Sequence, residues 1–276
     1  MIQSCRLREA LLGTLGTALS LAVVPAVLAD EPCGDIDECR IYIEINASDG
    51  DIGFHALIDA EDWFEARIIG PEGQRIFDES AHRALRDQKL TQNFFESSEP
   101  VCEVGLVEEE DDEVVTLPEF LERFPEGAYA VRVKLEEGGE LAGLTIFTHA
   151  IPAAPDDVDF DGSEISWEYG SDLGECETQP DGFMLLEEDD IAGYEVVLEP
   201  EDEALSRFKF TVQVPPDVSS VTVPSEYLDA LEDDVALKVE VGAIEERPNG
   251  SFGNQTFTEE DGFCNNSNQN RCPGEE

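Results

Sequence analysis

Gly193-Tyr194-Glu195-Val196-Val197-Leu198-Glu199 sends Tyr194, Val196 and Leu198 to one side of an extended chain and Glu195 and Glu199 to the other. That period of two marks a strand with one face toward a core. The same reading applies to Ile165-Ser166-Trp167-Glu168, to Phe208 through Val214, to Ser220 through Val223, to Leu237 through Ile244 and to Gly253 through Thr258. Strand-length runs this closely spaced, separated by Gly, Pro and acidic turns, describe a β-rich segment.

Working toward the N-terminus, Ile41, Ile43 and Ile45 share one face while Tyr42 and Glu44 take the other, which predicts a half-buried strand. Ala66 to Ile69 and Gln74 to Phe77 flank Gly70-Pro71-Glu72-Gly73, whose Pro and Gly suit a tight turn. Tyr129, Val131, Val133 and Leu135 alternate with Arg132 and Lys134 before Glu137-Gly138-Gly139-Glu140 reverses the chain into Leu144 to Ile151, a second hairpin. One short helix interrupts the strands. Thr116-Leu117-Pro118-Glu119 offers an N-cap, an early Pro and a capping-box Glu, with Phe120, Leu121 and Phe124 facing a core before Pro125. Pro152-Ala153-Ala154-Pro155 and the acidic stretch Asp156 to Asp161 then break the pattern, as a linker would.

The expected layout is a signal segment over 1–29, an N-terminal β-rich module over 30–152, an acidic linker over 153–162, a second module over 163–260 and a Cys-containing tail over 261–276. The fold class is mostly β, with two immunoglobulin-like sandwich modules in tandem and one short helix in the first.

The second module resembles fibronectin type III. Ile165 to Glu168 is similar to that family's second strand with its buried Trp, Gly193 to Glu199 to the third, Leu237 to Ile244 to the sixth and Gly253 to Thr258 to the last. The family's corner Tyr at the start of the sixth strand is absent here: Leu237 stands in its place, and Asp233 and Val235 stand where a Pro and a Thr precede it. In the first module, Asn46 to His55, Leu90 to Pro100 and Phe120 to Gly127 resemble a module of uncharacterised secreted bacterial proteins that precedes a fibronectin type III module. That resemblance implies export and the two-module layout, and brings no activity with it.

Arg6 and Arg8, the apolar run Ala10 to Val24 and the small-residue exit Val27-Leu28-Ala29 form a secretory signal peptide, the alternative being an uncleaved anchor helix. The expected location is secreted or periplasmic, with no membrane contact after cleavage. Sixteen Lys and Arg stand against 65 Asp and Glu over 276 residues, a formal charge of −49. Nucleic acid and anionic membrane surfaces are thereby excluded as partners, because both are bound through Lys and Arg. The 41% of hydrophobic residues is nevertheless ample for a folded core, and carboxylate self-repulsion makes the chain dependent on salt or bound cations.

Beyond Cys5, in the signal segment, six cysteines remain: Cys33, Cys39, Cys102, Cys176, Cys264 and Cys272. In an exported chain they read as disulfides. Three fall in each half, so either at least one bridge joins the modules or their tails, or two thiols stay free. Cys264 is expected to pair with Cys272 or back to Cys176.

Two carboxylate groups are candidate Ca²⁺ ligands. Asp157-Val158-Asp159-Phe160-Asp161-Gly162 with Glu168 satisfies the spacing of an EF-hand loop, yet Pro155 precedes it and Ile165 to Glu168 reads as strand, so the competing reading is an acidic solvated linker. Asn46, Asp49 and Asp51, with Gly50 and Gly53, could converge on Ca²⁺ or form a polar turn with Asx hydrogen bonds. No other cofactor is implied. Asn46, Asn254 and Asn265 match the glycosylation sequon. Nucleophile-elbow, zinc-protease, phosphate-loop and dinucleotide signatures are missing from the sequence, and His55 and His149 read as packed or edge histidines. The reading is a non-enzymatic exported protein that binds or scaffolds an extracellular protein or glycan. The alternatives are a Ca²⁺-dependent surface module and a secreted hydrolase or its accessory domain.

Overall fold

In a computed structural model, residues 33–107, 114–176, 184–202, 204–205, 207–248, 250–265 and 272 are described. The signal segment, the acidic run 108–113 and most of the tail lie outside them.

Strand β1 (Glu38–Asn46) buries Ile41, Ile43 and Ile45 completely, as its alternation predicts. It turns back into β2 (Asp51–Ile69), an unusually long strand that serves two sets of neighbours. The first part of β2 lies between β1 and β4 (Leu90–Glu96); the last part lies between β3 (Arg75–Ser80) and β5 (Gly127–Leu135). The change of neighbours falls at Asp59 to Glu65, where the register shifts and Asp62 takes φ 58°. Trp63, at this bend, is fully buried. A five-residue helix, α1 (Ala84–Gln88), joins β3 to β4. The helix α2 (Leu117–Arg123) starts at the expected capping box, Thr116 with Glu119, and buries Leu117, Phe120 and Leu121. Its side chains close the first core over Trp63, Ile68, Tyr129, Val131 and Phe147. β6 (Glu140–Phe147) completes the predicted hairpin with β5.

After the short β7 (Ala150–Ile151), β8 (Pro155–Phe160) and β9 (Glu164–Tyr169) form a hairpin. This corrects the linker reading of 153–162. Val158 and Phe160 point inward between exposed carboxylates, so the acidity of Asp156 to Asp161 masks a strand period. β10 (Met184–Leu185) pairs with β7. β11 (Ile191–Pro200), β12 (Phe210–Val214), β13 (Ser220–Thr222), the single-turn α3 (Ser225–Leu228), β14 (Ala236–Glu246) and β15 (Phe252–Cys264) follow. The sheet β13-β9-β8 supplies Val158, Phe160, Ile165 and Trp167 to a second core, opposite Tyr194, Val196, Leu198, Leu237, Val239 and Val241. β15 runs on through 261–264, into the segment expected as tail. In place of the missing corner Tyr, the Tyr227 hydroxyl of α3 lies 2.9 Å from the Leu198 carbonyl and 2.8 Å from that of Phe208.

Two cores are therefore present, but one sheet carries both. Its order is β12-β11-β14-β15-β1-β2-β5-β6, with β15 and β1 paired in parallel through Glu44–Gln255, Ile45–Thr256 and Asn46–Phe257. A buried polar network reinforces that seam. The Asn254 Oδ1 accepts from the Ile43 N–H at 2.8 Å, and its Nδ2 donates to the Ala150 carbonyl at 2.8 Å. Glu245 accepts from the Asn254 N–H and from Thr148, and Arg247 donates to the Ile41 carbonyl and to Thr145. Asn254 is fully enclosed, so this sequon is inaccessible in the folded chain.

The disulfides are Cys33–Cys39, Cys102–Cys176 and Cys264–Cys272. The second ties the first half to the start of the second across 74 residues of sequence. Replacing both Cys102 and Cys176 with Ser should lower the urea-unfolding free energy by about 4 kcal/mol, the chain-entropy value for a loop of this length. Asn254→Ala strands the Ile43 donor and the Ala150 acceptor inside the seam, and the same titration should show a loss of about 3 kcal/mol.

Candidate functional site

The antiparallel register of β1 and β2 sets Tyr42 opposite His55, Glu44 opposite Gly53 and Asn46 opposite Asp51. Opposed residues share a sheet face. All six therefore stand on the side away from Ile41, Ile43 and Ile45. A loop after β4 runs along the edge of β2. It is fastened to β2 by hydrogen bonds from the Ile52 N–H to the Pro100 carbonyl, from the Phe54 N–H to Ser97 Oγ and from the Ser97 N–H to the Phe54 carbonyl. The fastening delivers Glu99 to His55.

The His55 Nε2 lies 3.0 Å from Glu99 Oε1 and 3.6 Å from Glu44 Oε1. One donor atom from each of the three residues lies within 4.8 Å of the others. The imidazole is only 2% exposed, packed beside the Tyr42 ring at 5.1 Å and the Phe94 ring at 5.9 Å, and its Nδ1 is buried without a hydrogen-bond partner. Gly53 makes the space. A Cβ at that position would come within 2.6 Å of Glu99 Oε1 and 2.8 Å of His55 Nε2.

Charge is costly here. Burial pushes the Glu44 carboxyl up to about 7, against the lowering effect of His55 and Arg40, with Glu99 and Glu195 adding to the rise. Burial likewise pushes Asp51 up to about 7, reinforced by Glu99, Asp49 and Glu44, while a backbone hydrogen bond from Asn46 opposes it. An imidazole nitrogen flanked by carboxylate oxygens can exchange a proton or ligate a divalent cation.

The residues expected to bind Ca²⁺ are placed differently. Asn46 Oδ1 accepts from the Ser48 and Asp49 N–H groups at 3.0 and 3.2 Å, and its Nδ2 donates to Asp49 Oδ2 at 2.9 Å. The side chains of Asn46 and Asp49 are thus engaged in an Asx turn, and of that trio Asp51 alone borders the histidine cluster. Asp157 and Asp159 are exposed along β8, where the register shifts between Asp156 and Asp159 and Asp157 takes φ 50°, and Asp161 follows the strand. Asp161 Oδ1 accepts from the Ser163 N–H, the Ser163 hydroxyl and the Glu164 N–H, and these bonds lower its pKa. The EF-hand spacing falls on a β-hairpin, in which Glu168 pairs with Asp156.

Glu44, His55 and Glu99 were not among the sequence candidates. Glu44 and His55 had a legible signal, since a tight reversal at Ala47 to Gly50 pairs Glu44 with Gly53 and brings His55 alongside. Glu99 had none: it lies 44 residues from His55 and arrives by loop hydrogen bonds.

No protein-family model and no curated protein matches this chain. Among solved structures, it is similar to the FN1–FN3 domains of chicken CNTN1, at 13% identity and a TM-score of 0.27, covering 84% of this chain and 68% of that one. It is also similar to the BSP domain of a biofilm associated protein, at 12% identity and a TM-score of 0.23, covering 82% of this chain and 29% of that one. Both scores are low, and the architecture rests on the strand pairing alone.

In the native state Glu44 and Asp51 hold protons that the unfolded chain releases above the ordinary carboxylate range. Raising pH from there through about 7 therefore pulls the equilibrium toward unfolding. With chelator present, thermal stability should decline across this window, and the Glu44→Gln/Asp51→Asn variant should show a shallower decline in the same melts.

Proposed function

We propose that this chain is an exported, non-catalytic module that binds or scaffolds an extracellular protein or glycan. The carrying observation is an apolar pair at the end of a rigid sheet. Leu144 is 53% and Ile146 48% exposed on β6, the terminal strand of the sheet that spans both cores. Adjacent exposed aliphatics on one face of a strand are a recognition surface through their side chains, while the Leu144 carbonyl is already taken by the Cys33 N–H at 3.2 Å. Arg247 of the buried polar network donates to Thr145 on β6 at 3.1 Å and so fixes that strand to the seam. Disulfide use fits a location outside the cytoplasm. No helix among the described residues is long and apolar enough to cross a membrane.

The test is an array of extracellular proteins and glycans probed with the oxidised chain lacking residues 1–29. Saturable binding should appear and should weaken at least tenfold in Leu144→Lys/Ile146→Lys, with unchanged melting temperature. Turnover of chromogenic ester or glycoside substrates by the same preparation would overturn the non-catalytic reading in favour of the hydrolase alternative.

A further inference from the structure

We infer that Glu44, His55 and Glu99 form a binding site for a divalent transition-metal ion of the zinc class, independent of the ligand proposed for the sheet edge. The donor set favours such an ion over Ca²⁺ or Mg²⁺, which take six or more oxygens, because a buried imidazole nitrogen is central to it. The spacing agrees. A tetrahedral centre with bonds of 2.0–2.1 Å holds its donor atoms about 3.3 Å apart. The two distances from His55 Nε2, 3.0 and 3.6 Å, bracket that value before any adjustment.

Two further observations separate this cluster from an ordinary group of surface acids. The His55 side chain is 98% enclosed and directs its Nε2 at both carboxylates. Gly53 leaves open the volume between Glu99 and His55 that any side chain would occupy. Among the described residues this is the group of His, Cys, Asp and Glu whose donor atoms converge. Three protein ligands leave a fourth position for water or for a carboxylate from outside. A bound ion would link β1, β2 and the loop carrying Glu99, beside the seam where Glu44 pairs with Gln255.

Ligation through Nε2 requires the remaining ring proton to sit on Nδ1, where no acceptor meets it. Metal-binding histidines ordinarily donate that proton to a second partner, whose loss weakens affinity by ten- to a hundredfold. The site is accordingly expected to bind about ten- to a hundredfold more weakly than one whose second ring nitrogen has an acceptor.

The experiment uses the oxidised chain lacking residues 1–29, stripped with chelator and dialysed. Zn²⁺, Mn²⁺, Ca²⁺ and Mg²⁺ chlorides are titrated at matched ionic strength, with a competing chromophoric chelator and thermal unfolding as readouts. One equivalent of Zn²⁺ should bind and raise the melting temperature, with Ca²⁺ and Mg²⁺ at the same concentration failing to compete. Co²⁺ should give the intense visible absorption of a tetrahedral site. Glu99→Gln, on the partly exposed loop, should keep the metal-free melting temperature and weaken Zn²⁺ at least thirtyfold; His55→Gln should do the same where it folds. Equal stabilisation by all four ions would mean a screened acidic surface and overturn the proposal. Stoichiometric Zn²⁺ binding unchanged by Glu99→Gln, or no binding at micromolar concentration, would do so as well.

Discussion

The carboxamide of Asn254 is the contact on which the rest of the structure depends. The two cores meet through a parallel pairing of β15 with β1, and no local turn fixes its register, because the Ile43 amide and its Asn254 acceptor are 211 residues apart. A slip of one residue would exchange the buried and outer faces of β1. Apolar packing resists that exchange but does not distinguish finely between nearby registers. An enclosed amide does, since its oxygen must meet the Ile43 N–H while its nitrogen meets the Ala150 carbonyl. Glu245 and Arg247 extend the same logic, each bonded to groups in the other half. Buried polar groups of this kind contribute less net stability than uniqueness, because any alternative alignment leaves them unsatisfied.

The register has a chemical consequence on the opposite face. With Ile41, Ile43 and Ile45 in the first core, Glu44 is directed to the outer side, between Gly53 on one neighbour and Gln255 on the other. Gln255 stays close to the sheet because Gly242 leaves room for its amide, just as Gly53 leaves room for Glu99 and His55. Two glycines of the same sheet, on β2 and on β14 with β15 and β1 between them, thus allow polar side chains to lie flat on the sheet and to be covered. That covering is what raises the pKa of Glu44 and Asp51.

Much of this was legible in the sequence wherever period-two alternation was clean. Strands β1, β5, β11 and β14, the turn at Gly70 to Gly73 and the capping box at Thr116 all follow from local rules. The failures share a physical cause. Asp156 to Asp161 looks like a linker and a calcium loop because its carboxylates outnumber Val158 and Phe160, although those two side chains carry the burial. The joining of β15 to β1 leaves no trace in either segment alone, since parallel pairing at long range has no turn to announce it. Asn46 illustrates the converse: its side chain satisfies the turn that local chemistry suggests.

The same separation between local and long-range forces governs how so acidic a chain stays folded. Its few cations are shared. Lys238 lies 2.8, 3.0 and 3.6 Å from Glu259, Glu240 and Glu199, and Glu65 takes both Arg67 and Lys134. Burial alone would lower the Lys238 pKa, yet hydrogen bonds to Glu259 and Glu240 raise it, so the cation is fixed in its charged form. Such groups neutralise particular places on the sheet and leave most carboxylates to solvent ions, whose screening acts over about 8–10 Å at ordinary salt. Disulfides and the enclosed Asn254 network do not depend on that screening. They join the two halves directly: Cys102–Cys176 from one half to the other, and Asn254, Glu245 and Arg247 along the seam. The division of labour follows from distance: diffuse charge is managed by salt, whereas register and closure require bonds that salt cannot weaken.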